Sequence, residues 1–84
     1  MEFVVIDKIK RFYVCSSIFY LCLDNNDTTQ ICKCDDSTTM KKKVDHVKGC
    51  VEKYYAAKTA HNQEFASSFV LGLNLVRKQG EPIS

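Results

Sequence analysis

An α+β domain, a small antiparallel sheet packed on two C-terminal helices, is predicted by three observations. Residues 3–34 are rich in the β-branched and aromatic side chains that suit a pleated surface. The apolar period changes at Asp35-Asp36. From Met40 onward apolar residues recur at spacings of three and four. The chain has 84 residues, 45% apolar and 26% charged, with three Gly and one Pro. That composition fits a single domain over residues 1–84 and excludes a second core, a disordered tail or a flexible linker.

Residues 3–14 are expected as a third strand, built from Val4, Val5, Ile6, Ile9, Phe12, Tyr13 and Val14. Val5, Ile9 and Phe12 also fall at helical spacing, so an amphipathic helix with Lys8 and Arg11 on its wet side is the competing reading. A hairpin over 18–34 follows. In its first arm Phe19, Leu21 and Leu23 alternate with Ile18, Tyr20 and Cys22, so both faces are apolar and the strand should be central or covered. Asp24-Asn25-Asn26-Asp27 is turn chemistry, because short Asx side chains bond the nearby backbone and tolerate left-handed conformations.

The first helix is expected at about 37–60. Asp36 or Ser37 can accept from its first free amides, and the acidic pair suits the positive end of its dipole. Met40, Val44, Val47, Val51 and Tyr54 form one apolar seam, widened by Cys50 and Tyr55, while Lys41, Asp45, Lys48 and Glu52 line the far side. Running unbroken to Lys78, this helix would reach roughly 60 Å, too long for so small a domain. A break near His61 and Asn62 and a second helix at about 63–79 are therefore expected, with Phe65, Phe69, Leu73 and Val76 inward. Val70, Leu71 and Leu75 widen that face until the helix must be largely buried. Arg77 and Lys78 fit its last turn, Gly80 a left-handed cap, and Pro82 prevents resumption.

Net charge is +2 with a pI near 8.3, too mild to mark a dedicated nucleic-acid binder. Five cysteines, an odd count below the density of a disulfide scaffold, read as reduced thiols and place the chain in cytoplasm or nucleus. Lys8, Lys10 and Arg11 precede an apolar stretch at 12–23, but Ser16 and Ser17 interrupt it and no small-x-small step follows, so it is not read as a secretory signal. That stretch is too short to cross a bilayer, and no membrane partner is expected. The Asn26-Asp27-Thr28 triplet is then incidental.

Two constellations carry chemistry. Cys32 and Cys34 share one strand face, and His46 and Cys50 lie four apart on the first helix, an arrangement by which a ββα finger builds tetrahedral zinc, with Cys22 as a substitute ligand. The Cys-x-Cys step is tighter than a zinc finger uses, and the plainer reading is core and strand cysteines with a solvated His46. Lys42, His46 and Lys53 form a basic strip on the same helix, with Gly49 beside them and Lys43 at the margin, suited to phosphates; the plainer reading is the helix's wet face. Catalysis finds no support in an orienting carboxylate, oxyanion site or glycine-rich loop, so the chain is expected not to be an enzyme.

The functional expectation rests on apolar excess. A hairpin apolar on both faces and a last helix apolar on most of its circumference exceed what two layers can cover. A protein-interaction module is expected, homodimeric or a small subunit of a complex, without cofactor, contacting its partner through Phe19, Leu21, Leu23, Tyr55, Phe69 and Leu73. The alternative is a small nucleic-acid-binding module using Lys42, His46 and Lys53, supported by zinc on Cys32, Cys34, His46 and Cys50.

Overall fold

The computed structural model describes residues 2–60 and 70–80. Strand β1 (Phe3–Val5) leads through a single 3-10 turn (Ile6–Lys8) into β2 (Ile9–Cys15), followed by β3 (Ile18–Leu23) and β4 (Thr28–Lys33). Helix α1 (Ser37–Thr59) comes next, and the described chain ends with β5 (Val70–Gly72) and the short helix α2 (Leu73–Lys78). The α+β class stands, but the strands divide into two antiparallel sheets, β2-β3-β4 and β1-β5.

Residues 3–14 are neither one strand nor a helix. The 3-10 turn breaks them because Ile6 rolls inward to 1% exposure while Asp7 and Lys8 face water, which carries the chain from one sheet to the other. β1 therefore pairs not with the hairpin but with β5, Phe3 opposite Gly72, Val4 opposite Leu71 and Val5 opposite Val70. The Leu73 amide adds a hydrogen bond to the Glu2 carbonyl at 3.1 Å.

In the larger sheet β3 is central, as its two apolar faces require. The β3–β4 turn forms as its Asx residues dictate: the Asp27 amide donates to Asn25 Oδ1 at 3.0 Å, and Asn26 takes φ of 68°. β2 and β3 are joined by Ser16-Ser17, whose φ values of 52° and 65° give the left-handed pair that matches strand twist. A register shift leaves Ile31 of β4 without an opposite number on β3, and its carbonyl accepts from Arg77 Nε at 2.6 Å.

Helix α1 starts where the sequence places it. The Asp36 carboxylate accepts from the Thr39 amide at 3.1 Å and from its hydroxyl, and these bonds hold its pKa below the usual aspartate value. The seam of Met40, Val47 and Tyr54 is buried against Phe19, Leu21 and Ile31 of the sheet, with Val44, Cys50 and Val51 at its margins. Ile6 and Leu71 join the same core, as do Leu73 and Val76 of α2.

The second helix departs from expectation. Residues 61–69, with the break near His61 and Asn62 and the inward Phe65 and Phe69, lie outside the described residues, as does Pro82. Over 70–72 the chain is strand and helix begins only at Leu73, because a run apolar at nearly every position carries no period to separate strand from helix. Leu75 is 60% exposed, so the last helix is not largely buried all round.

The end of α2 is held by polar groups. The Lys43 side chain, 2% exposed rather than at the margin of a basic strip, carries its ammonium to the Arg77 carbonyl, favourable for a cation at a helix C-terminus. Gly80 adopts the left-handed φ of 80° expected of it, and a Cβ there would meet the Thr39 and Lys42 side chains at 3.1 Å. The first turns of α1 and the end of α2 thus close against each other.

Candidate functional site

Three of the six residues expected to meet a partner are inside the core: Phe19, Leu21 and Leu73 are at most 2% exposed. The hairpin face and helix face expected to lack cover are covered by α1 and by each other. Leu23 is half-buried, Tyr55 is exposed, and Phe69 lies outside the described residues. Tyr55 meets Tyr54 edge-on at 5.1 Å, and the Lys58 ammonium lies 5.9 Å from both rings.

The uncovered apolar surface sits elsewhere. In the β1–β5 pairing, Val4 and Leu71 point to the core, which sends Phe3, Val5 and Val70 to the opposite side. Phe3 is 60% exposed, and Val70 is exposed as well. Leu75 extends the patch, because its Cδ1 lies 3.7 Å from where a Cβ on Gly72 would be. Behind this face, Arg77 Nη1 donates to Glu2 Oε1 at 2.9 Å, and the guanidinium beside it holds the Glu2 carboxyl below its usual range. That ion pair fastens α2 to the chain just ahead of β1. Sequence reasoning missed Phe3 because a three-residue strand leaves too little alternation to reveal a face.

A second exposed surface lies on the outer side of the larger sheet. Tyr13 and Tyr20 are directly opposite across β2 and β3, with ring centroids 5.2 Å apart and planes 24° from parallel. The Arg11 guanidinium lies 5.5 Å from the Tyr13 centroid. The signal was present: pairing across Ser16-Ser17 places Cys15 opposite Ile18 and Tyr13 opposite Tyr20. It went unread because Ser-Ser lacks the Asn or Gly that usually marks such a turn.

The cysteine–histidine set is only half assembled. His46 Nε2 and Cys50 Sγ are 3.7 Å apart on α1, as their spacing predicts. Cys32 packs at the edge of the core, and Cys34, past the end of β4, donates its thiol to the Asp36 carbonyl at 3.6 Å. Among the described residues, no group of three or more His, Cys, Asp or Glu side chains is placed to share a metal ion. Burial pushes the Cys50 thiol above its ordinary pKa, against the pull of Lys53. A thiol so placed is poorly suited to be a nucleophile.

Lys42 and Lys53 are exposed and His46 half-buried, so the basic strip exists on α1, shortened by the loss of Lys43 to the interior. A cleft of about 360 Å³ opens between the β2–β3 turn and the start of α1, floored by Val14, Met40 and Val44 and rimmed by Asp35, Ser37 and Lys41. Among the described residues, no helix is long and apolar enough to cross a membrane.

Compared with protein-family models, with curated proteins and with solved structures, the chain matches none.

Proposed function

We propose that this chain is a non-catalytic protein-interaction module that works as a homodimer or as a small subunit of a complex. The observation that carries the reading is the outer face of β1–β5, where Phe3, Val5 and Val70 form a continuous apolar patch with Leu75 of α2. Isolated exposed apolar residues are ordinary, but exposed Phe3 and Val70 beside half-buried Val5 on the ribbon, with exposed Leu75 adjoining from α2, form a contact surface. Among the described residues neither strand of this ribbon has a second ladder partner, which leaves its edges as a template for another strand. A partner that covers the face and pairs with an edge gains apolar burial and ladder hydrogen bonds together.

Against a thiol nucleophile at Cys50 stands its partial burial beside His46, which raises its pKa. The test is sedimentation velocity over a wide concentration range, supported by native mass spectrometry. The wild-type chain self-associates, and the Phe3→Ser/Leu75→Ser variant sediments as a folded monomer. A wild-type chain that stays monomeric at high concentration removes the homodimer, and identical behaviour of the two proteins removes the face.

A further inference from the structure

The outer face of β2-β3-β4 is unrelated to the β1–β5 patch, and its chemistry differs. Register places its side chains in three rows. Arg11, Cys22 and Thr28 form the first, Tyr13, Tyr20 and Gln30 the second, and Cys15, Ile18 and Lys33 the third. Phe12, Phe19 and Leu21 point the other way, into or against the core. Arg11, Tyr13, Gln30 and Lys33 are exposed, and Tyr20 is half-buried.

The rows hold two cations, one at each end, and no carboxylate; Asp24 and Asp27 belong to the β3–β4 turn and Asp35 follows the end of β4. At about 3.4 Å per residue, the Arg11 and Lys33 rows lie roughly 14 Å apart along the strands, with the tyrosine pair between them. Cys22 is buried on this face, and the exposed part is an aromatic pair bracketed by cations, which is what unpaired bases and their flanking phosphates require. Tyr20 stacks on one face of Tyr13 and Arg11 lies over the Tyr13 ring, so a base reaches that ring as Arg11 swings out to a phosphate.

We propose that this face binds single-stranded nucleic acid, with bases stacked on Tyr13 and Tyr20, phosphates at Arg11 and Lys33, and Gln30 at a base edge. A duplex is a poor ligand, because its bases are already stacked on one another. The surface is distinct from the basic strip of α1, which offers charge without an adjoining ring stack.

Fluorescence anisotropy with labelled oligothymidylate, oligouridylate and a DNA duplex tests this on the whole chain. Both single strands bind at low salt, and the duplex binds more weakly. Tyr13→Ala/Tyr20→Ala weakens single-strand binding by roughly 5- to 150-fold for each stacked base, whereas Tyr13→Phe/Tyr20→Phe retains it. Arg11→Gln/Lys33→Gln, which leaves the tyrosines and keeps the proposal testable should their loss unfold the sheet, flattens the salt dependence by about 0.7 logarithmic units for each cation. Absence of single-strand binding at low salt overturns the proposal. So does binding that survives in folded Tyr13→Ala/Tyr20→Ala, or that is lost only when Lys42, His46 and Lys53 are neutralised. Failure of Tyr13→Ala/Tyr20→Ala to self-associate in sedimentation, with oligonucleotide binding unchanged, makes the face a contact between copies instead. None of these outcomes depends on Phe3 or Leu75, so the two surfaces are judged separately.

Discussion

Truncating Leu73 and truncating Leu75 should have opposite consequences, although the residues are two apart on the same short helix. Leu73 is 2% exposed in the core, and Leu73→Ala is expected to cost about 2–5 kcal/mol of folding stability, the transfer term plus the cavity left behind. Leu75 is 60% exposed, so its truncation should change the stability of the monomer by no more than about 0.5 kcal/mol. Its contribution belongs to association. Fully burying a leucine is worth about 1.5–3 kcal/mol, and covering the exposed 60% is worth about 1–2 kcal/mol per copy. In a twofold dimer both copies lose that term, which is about 2–4 kcal/mol, or roughly 30- to 700-fold in the dimer Kd. Urea unfolding at a concentration where the chain is monomeric measures the first effect, and sedimentation equilibrium the second. If Leu75→Ala leaves association unchanged, or destabilises the monomer as much as Leu73→Ala, the assignment of an outward face to α2 fails.

Backbone geometry and titration supply the remaining expectations. Gly80→Ala should lose about 1–2 kcal/mol from the left-handed φ, with a further loss from contact with Thr39 and Lys42, measurable in the same urea titration. Ser17→Gly relieves a left-handed φ of 65° and should raise the urea midpoint by the equivalent of about 1 kcal/mol; a lower midpoint would contradict the turn. The Glu2 carboxyl has its pKa depressed by Arg77, so the stability it contributes is present above its ordinary value of 4.5 and is lost as pH falls through the depressed value. Glu2→Gln should therefore be less sensitive to acid than the wild type in thermal melts across that range. Alkylation at neutral pH followed by peptide mass mapping should find exposed Cys15 labelled well before Cys50, whose thiol pKa is raised by burial; preferential labelling of Cys50 would count against the non-catalytic reading.

The parts of the fold legible in the sequence are those where one physical signal dominates. α1 follows from a capping aspartate and an apolar seam at regular spacing, and the β3–β4 turn from four consecutive Asx residues. Gly80 was readable from the rule that a helix end favours a left-handed residue. What escaped depends on contacts distant in sequence. Val70–Gly72 becomes strand only because Phe3–Val5 lies alongside it, and Ile6 breaks its strand because the core needs a side chain there. The contact residues suffered from the same blindness: Phe19, Leu21 and Leu73 read as surplus apolar surface until α1 is laid over them. Tyr13 and Tyr20 needed the Ser16-Ser17 turn to be recognised before their positions could be added up.

The union of β1 with β5 also decides when this fold can be completed. Phe3 leaves the ribosome early and Gly72 late, so the first strand must wait, unpaired, while almost everything between is synthesised. The hairpin and α1 can settle in the meantime from local contacts, but the closing step joins residues far apart along the chain and bears the entropy of that long loop. Until it happens, Phe3, Val4 and Val5 are an open apolar strand with no ladder, and the protein is most vulnerable to sticking to its neighbours in that interval.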